Sequence, residues 1–282
     1  MERPKKSKIK SASSEKTLIL RLVFFDGLLK LLTLGILALT WIWPGQVAAQ
    51  TGREVALKWD AVDNSQSSSY LATFTIRRSS RVLLRTMEII RQKTPDAEKQ
   101  LIAFQEPPDV RGTAYLTWAY KDPKKDDDMW VFLPAESLTR RIAGGARKGP
   151  FMRSDYALED ISRREVDEDN WELIRREKVF GTDCFLLSAV PLAGKKGVYA
   201  KRLAWVREDI FLPTKVEYYG EKDKLIKTLI LGDFQNIQGI WLPLKQEMRA
   251  KDADSATTLE LTRVVFNQPV AADLFWSENL KR

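Results

Sequence analysis

Adjacent carboxylates are the residues of this chain best suited to chemistry: Asp126-Asp127-Asp128 and Glu159-Asp160. Two carboxyl groups held a few ångströms apart can act as acid and base toward a glycosidic bond or a water molecule. Adjacent acids on a loop are more commonly solvated, however, and residues 121–128 read as a charged hairpin loop, not as a metal or partner site. Little other chemistry is on offer. The 282-residue chain has no histidine, which removes Ser-His-Asp and Cys-His nucleophile pairs together with the commonest metal ligand. Its single cysteine, Cys184, opens the apolar run Cys184-Phe185-Leu186-Leu187 and reads as a small buried hydrophobe. One thiol excludes an intramolecular disulfide, and neither a paired-cysteine zinc spacing nor a phosphate-cradling glycine loop occurs. The expectation is a binding protein, not an enzyme, with no catalytic residue, cofactor or metal.

The acids must be positioned by the stretch 127–160. It opens on the apolar run Met129-Trp130-Val131-Phe132-Leu133, which Pro134 stops. It turns basic at Arg140-Arg141, passes through Gly144-Gly145, and ends on Phe151-Met152 beside Ser154-Asp155 and Glu159-Asp160. This order predicts a strand, a turn, a short second strand, a loop and a helical turn. Ser154 or Asp155 would cap that turn, and acids near a helix start suit its dipole. Arg140 and Arg141 admit two readings. They form surface salt bridges, with Asp155 or Glu159 as partners, or they make an electropositive rim that meets lipid phosphates or an acidic partner.

Around this stretch the chain alternates. Residues 53–62 predict one amphipathic helix, with Val55, Ala56, Trp59 and Val62 near one face. Residues 70–77 place Ala72, Phe74 and Ile76 on one side and Thr73, Thr75 and Arg77 on the other, the mark of a half-buried strand. Further strands are predicted at 81–91, 99–105, 113–120, 171–180, 183–190, 199–207, 214–219, 225–237, 240–251 and 257–266, with a short helix at 269–275. The period of two marks an antiparallel sheet with one wet face. So many strands and so few helices predict a mainly β fold built on one curved antiparallel sheet. Its concave face would carry Phe74, Ile76, Leu101, Trp118, Trp130, Phe132 and Trp205, with Phe151 and Met152 beside them, and enclose an apolar cavity; the alternative is that these side chains simply fill a core. A one-residue slip in facing would exchange every inward side chain for its neighbour.

The first 49 residues read as a leader. Lys5, Lys6, Lys8, Lys10, Lys16 and Arg21 precede an apolar core at 28–43, and Val47-Ala48-Ala49 offers a cleavage site. Lys30 interrupts the apolar core, so an uncleaved membrane anchor is the alternative to a cleaved signal. Either way the charge bias sends residues 50–282, read as one domain, across the membrane. The leader's eight Lys/Arg and three Asp/Glu hold +5 of the formal +8, which leaves +3 on residues 50–282. The nucleic-acid partner that a basic chain invites is thereby excluded.

The residues Leu133-Pro134, Arg140-Arg141-Ile142, Phe151-Met152, Ser154-Asp155 and Glu159-Asp160 fall where the outer-membrane lipoprotein-sorting proteins of the LolA-like superfamily carry the same pattern. The sequence resembles that family over residues 50–282, most sharply at 118–161. It departs at Arg153, where the family usually has a glycine. The resemblance implies an incomplete, half β-barrel with a few helices covering its open mouth, and residues 53–62 and 154–161 as the lid. It implies a monomeric periplasmic carrier that holds the acyl chains of lipoproteins or lipids and sorts them toward the outer membrane, loaded by an inner-membrane transporter. The alternative is a non-catalytic periplasmic regulator or accessory subunit of a transporter, built on the same fold. The acyl-chain cavity would be lined by the nine apolar residues just named, with Arg140, Arg141, Ser154 and Asp155 at its rim.

Overall fold

The computed structural model of the protein describes residues 50–282, apart from 123, 195, 196, 252, 253 and 282. The leader read at 1–49 lies outside the described residues. Among those described, no helix is long and apolar enough to cross a membrane.

Strands dominate, as the alternation requires. They are β1 (Ser67–Arg78), β2 (Arg81–Lys93), β3 (Ala97–Glu106), β4 (Ala114–Tyr120), β5 (Asp128–Leu133) and β6 (Leu138–Arg141), then β7 (Asp169–Val179), β8 (Thr182–Pro191), β9 (Lys201–Arg207), β10 (Pro213–Tyr219), β11 (Leu225–Ile237), β12 (Ile240–Ala250) and β13 (Ser255–Phe266). Together they form one curved antiparallel sheet, ordered β6-β5-β4-β3-β2-β1-β13-β12-β11-β10-β9-β8-β7 and not closed into a barrel. Chain neighbours pair through short turns. Gln238 and Gly239 both take positive φ, 54° and 87°, the conformation a two-residue hairpin needs to match strand twist. The sheet is thus two meanders, β1 to β6 and β7 to β13, joined where β1 pairs with β13 from Ser68↔Phe266 to Arg78↔Ser255.

That order has a topological consequence. β6 and β7 are consecutive in sequence yet form opposite edges of the sheet. Residues 142–168 must therefore travel across the whole sheet, and they do so over the concave face, as a strap. The second covering element is helix α1 (Gly52–Asp60), which starts on a capping box: Thr51 accepts from Glu54 N–H, and the Glu54 carboxylate accepts from Thr51 N–H. Its start is pressed on β7; a Cβ at Gly52 would lie 2.5 Å from the carbonyl carbon of Glu172.

Three apolar clusters divide the sheet by face, one inside and two outside. On β1, Ala72, Phe74 and Ile76 are buried in the inner cluster, as the alternation predicts. On β3, Ile102 and Phe104 join them. Leu101, one residue away, belongs to a separate cluster with Leu116, Trp118, Trp130 and Phe132. Successive strand residues point to opposite faces, so this cluster is on the outside of the sheet. The C-terminal 3-10 turns Ala272–Phe275 and Ser277–Lys281 cover it with Phe275 and Leu280. The Trp118 indole N–H donates to the Phe275 carbonyl at 3.0 Å.

Candidate functional site

The strap is fixed by side chains that cross the sheet. Phe151 inserts among Phe74, Phe104 and Tyr115, with ring centroids 5.9, 5.7 and 5.0 Å away, and Tyr156 stacks on Phe74 at 5.1 Å. This aromatic plug packs into the concavity over β1 to β4 and leaves a smaller hollow of about 250 Å3 beside it. Ser154 is buried; its hydroxyl donates to the Phe151 carbonyl at 2.6 Å and accepts from the Tyr156 N–H at 3.2 Å. The Asp155 carboxylate accepts from the hydroxyls of Ser255 and Thr257 on β13. Asp160, with a side chain 3% exposed, accepts from the Ala157 N–H, from the Tyr199 hydroxyl at 2.8 Å and from the Lys227 ammonium. Glu159 accepts from the Val198 N–H at 2.8 Å. Burial lifts Glu159 above the usual carboxylate range in spite of that bond, and burial with Asp160 alongside pushes the Tyr199 phenol well up.

Beyond the plug, the same concave face is open. A cavity of about 1010 Å3 lies between β8 to β11, both the early and the late parts of the strap, the charged loop at 125–127 and α1. Its floor is small and apolar, with Ala189, Ala204, Val216, Leu229 and Leu231; Ala56 and Trp59 of α1 face it from above. Trp59 meets Trp171 of β7 edge to face at 6.0 Å. Charged groups ring this apolar floor. Arg164 and Arg202 both pair with Asp169, whose side chain is 1% exposed, and Arg163 spans Asp60 of α1 at 2.6 Å and Glu98 of β3 at 3.2 Å. Asp160 and Asp169 line the chamber with side chains 3% and 1% exposed, so polar groups are built into its walls beside the apolar floor, a lining that suits a ligand with both apolar and polar parts. Among the described residues, no group of three or more Cys, Asp or Glu could hold a metal ion.

The predicted site residues are partly brought together here. Phe74, Ile76 and Phe151 are on the inner face but belong to its packed half, with Met152 against them. Leu101, Trp118, Trp130 and Phe132 face outward under the C-terminal turns. Trp205 faces outward too, packed with Cys184 and Leu186, while its neighbours Ala204 and Val206 face in. The facing was therefore off by one residue on β3, β4, β5 and β9. On these strands both faces are apolar, and alternation alone carries no sign. Ser154 and Asp155 are struts rather than rim residues, and neither caps the following turn. The 3-10 turn Leu158–Ile161 starts at Ala157, and the Asp160 carboxylate satisfies its N–H. Arg140 and Arg141 make exposed pairs with Glu136 and Asp128, not with Asp155 or Glu159; Arg141 also borders the cavity. The acids of the charged loop are struts as well, Asp127 bonding Arg147 and the Tyr120 N–H, and Asp128 the Tyr120 hydroxyl. The cavity floor was missed. Ala189, Ala204, Val216, Leu229 and Leu231 are unremarkable strand residues with no distinguishing sequence signal, and the predicted inward facing of Trp205 pointed Ala204 the other way.

The comparisons with known proteins agree with this architecture. A family model described as "-like: Uncharacterized protein" matches residues 96–282. A DUF1329 family protein from Desulfovibrio piger is 36% identical, superposes with a TM-score of 0.79, and is matched over 81% of this chain and 97% of its own. A domain from Vibrio parahaemolyticus named for outer membrane lipoprotein sorting is 29% identical, with a TM-score of 0.77 over 82% of this chain and 98% of that one. A LolA superfamily protein from Nitrosomonas europaea, 22% identical with a TM-score of 0.66 over 81% of this chain and 98% of that one, shares the fold. No protein of curated function matches the sequence. The chain belongs to the DUF1329 family, and its fold is that of the LolA superfamily protein.

Proposed function

We propose that this protein is a non-catalytic carrier that holds acyl chains of a lipoprotein or a lipid and moves them toward the outer membrane through the periplasm. The observation that carries the reading is the apolar-floored cavity of about 1010 Å3 on the concave face. The sheet is too broad for its coverings to fill, and a hydrocarbon completes the burial at about 0.8 kcal/mol per methylene removed from water. The relative named for lipoprotein sorting supports the same cargo class. Release requires a cover that opens, and α1 is better placed for that than the strap. The strap is anchored by the buried Asp160–Lys227 pair. α1 packs on the sheet through Val55, Ala56 and Trp59, and its charged ties are Arg163–Asp60 and Arg53–Asp167; the latter, with side chains 57% and 63% exposed, contributes about 0–1 kcal/mol. The protein acts as a monomer that an inner-membrane transporter loads.

Native mass spectrometry of the full chain, expressed with its leader and purified gently, tests this. A bound lipid or acylated partner is the expected result. Protein free of both, and unable to take up a fatty acid added in solution, overturns the carrier reading; a stable complex with a transporter and no lipid exchange would instead favour an accessory subunit.

A further inference from the structure

At one end β2 outruns β3. It pairs with β1 from Ser67↔Gln92 to Arg78↔Arg81, but with β3 only as far as Thr86↔Glu106. Residues 81–85 therefore have β1 on one side and, among the described residues, no strand on the other. In an antiparallel ladder each residue directs its N–H and C=O to one side, and successive residues alternate. The Lys93 N–H donates toward β1, to the Gln66 carbonyl at 2.8 Å, and the β1–β2 register runs without a slip. Val82 and Leu84, an odd number of positions away, thus aim their N–H and C=O groups at the open side. Their side chains lie on the outer face of the sheet. At 58% and 57% they are the most exposed valine and leucine among the described residues. The other free edges are blunted: α1 is pressed on β7 at Glu172, a bulge interrupts β7 between Leu173 and Arg175, and β6 has only four residues.

The charge at this overhang is one-sided. Arg78 and Arg81 stand directly opposite each other at the turn, a like-charge pair that weakens the hairpin. Neither makes a hydrogen bond or ion pair with another described residue. Arg77, on the outer face, donates to the Thr258 hydroxyl at 3.3 Å. The acids where β3 departs are already taken, Glu106 by Arg111 and Asp109 by Arg85.

We propose that residues 81–84 are a docking edge for an extended segment of an acidic partner protein, which adds a strand beside β2. The backbone of Val82 and Leu84 supplies the hydrogen bonds, and their side chains take apolar residues at alternate positions of the incoming strand. A carboxylate at the end of that strand meets Arg78 and Arg81. A second copy of this chain fits poorly, because pairing Val82 with Leu84 of the other copy sets Arg81 opposite Arg85. None of these residues lines either hollow, so the edge is separate from the proposed cargo site.

The probe is a disulfide-closed hairpin peptide whose outer strand reads glutamate, valine, threonine, valine, glutamate, compared with one carrying lysine in place of both glutamates. Titrated against the full chain, the acidic peptide is expected to bind about 10-fold more tightly and to slow hydrogen exchange at the Val82 and Leu84 amides. Leu84→Pro removes one outward N–H and leaves the bonds to β1, and it should weaken binding about 2–10-fold. Arg78→Glu combined with Arg81→Glu should reverse the preference between the two peptides, and it decides the matter if the proline variant does not fold. Equal binding of the two peptides, or binding of neither, overturns the proposal. So does a concentration-dependent dimer abolished by Leu84→Pro, which assigns the edge to a second copy. Attachment to phosphatidylglycerol vesicles through Arg78 and Arg81 with no peptide bound overturns it too, and assigns the hairpin to a lipid surface.

Discussion

Over β1 to β4 the concave face is closed by Phe151 and Tyr156, whose rings interlock with Phe74, Phe104 and Tyr115. Over β8 to β11 the same sheet presents Ala189, Ala204 and Val216 to an open chamber. Backbone, pairing and curvature are continuous between the two halves; the size of the inward side chains and the nature of the cover differ. Aromatic residues delivered by the strap make a core, and small residues under a short helix leave a hollow. Interiors of folded proteins are close-packed wherever side chains can reach one another, and a hollow this large is the departure from that rule on which the proposed carrier role rests.

Substitutions that act on one half alone should separate these roles. Phe151→Ala removes the plug from its fully buried site and is expected to cost about 3–5 kcal/mol in chemical denaturation. A loss under 1 kcal/mol would mean the packed half is no core. Ala204→Leu acts on the other half, at a cavity-lining residue that is itself buried. Displacing about three methylenes of cargo at about 0.8 kcal/mol each should weaken fatty-acid binding by roughly 50-fold. Overpacking there should cost about 1–3 kcal/mol, less than Phe151→Ala; a loss exceeding that of Phe151→Ala with unchanged binding would reverse the assignment of the two halves.

Smaller effects sharpen the account of the strap. Arg153 has φ 65°, the left-handed conformation that glycine adopts without strain. The departure from the family's glycine is thus tolerated at a cost, and Arg153→Gly should raise stability by about 0.5–1 kcal/mol. An unchanged or lower unfolding midpoint would show that the arginine makes a compensating contact. The smallest effect concerns pH. Burial holds the folded-state pKa of Glu159 above its ordinary 4.5, so the folded protein binds this proton more tightly than the unfolded chain does. The resulting contribution to stability is full below 4.5 and is lost as pH rises through the folded value. Glu159→Gln should flatten that part of the stability profile, and an unaltered slope would show that Glu159 is not its source.

How far the sequence could be read differs between these regions for a physical reason. β1 was legible because threonine and arginine alternate with Ala72, Phe74 and Ile76, so only one facing buries the apolar set. The hairpin at Gln238-Gly239 was legible because a tight turn demands positive φ. On β4, Tyr115 faces the plug and Leu116 and Trp118 face outward, and nothing local distinguishes the two sides. Phe275 and Leu280, far along the chain, decided that. Ser154-Asp155 looked like a helix cap because Ser and Asp are good caps; Ser255 and Thr257, a hundred residues on, claimed the Asp155 carboxylate instead.

The sequence by itself determined that this chain would be a single curved antiparallel sheet with no histidine to act as base or ligand, because strand periodicity and composition are local facts. The tertiary structure alone decided which part of the concave face became core and which became chamber. That choice depends on where the strap, α1 and the C-terminal turns settle, and each is set by contacts between residues remote in sequence.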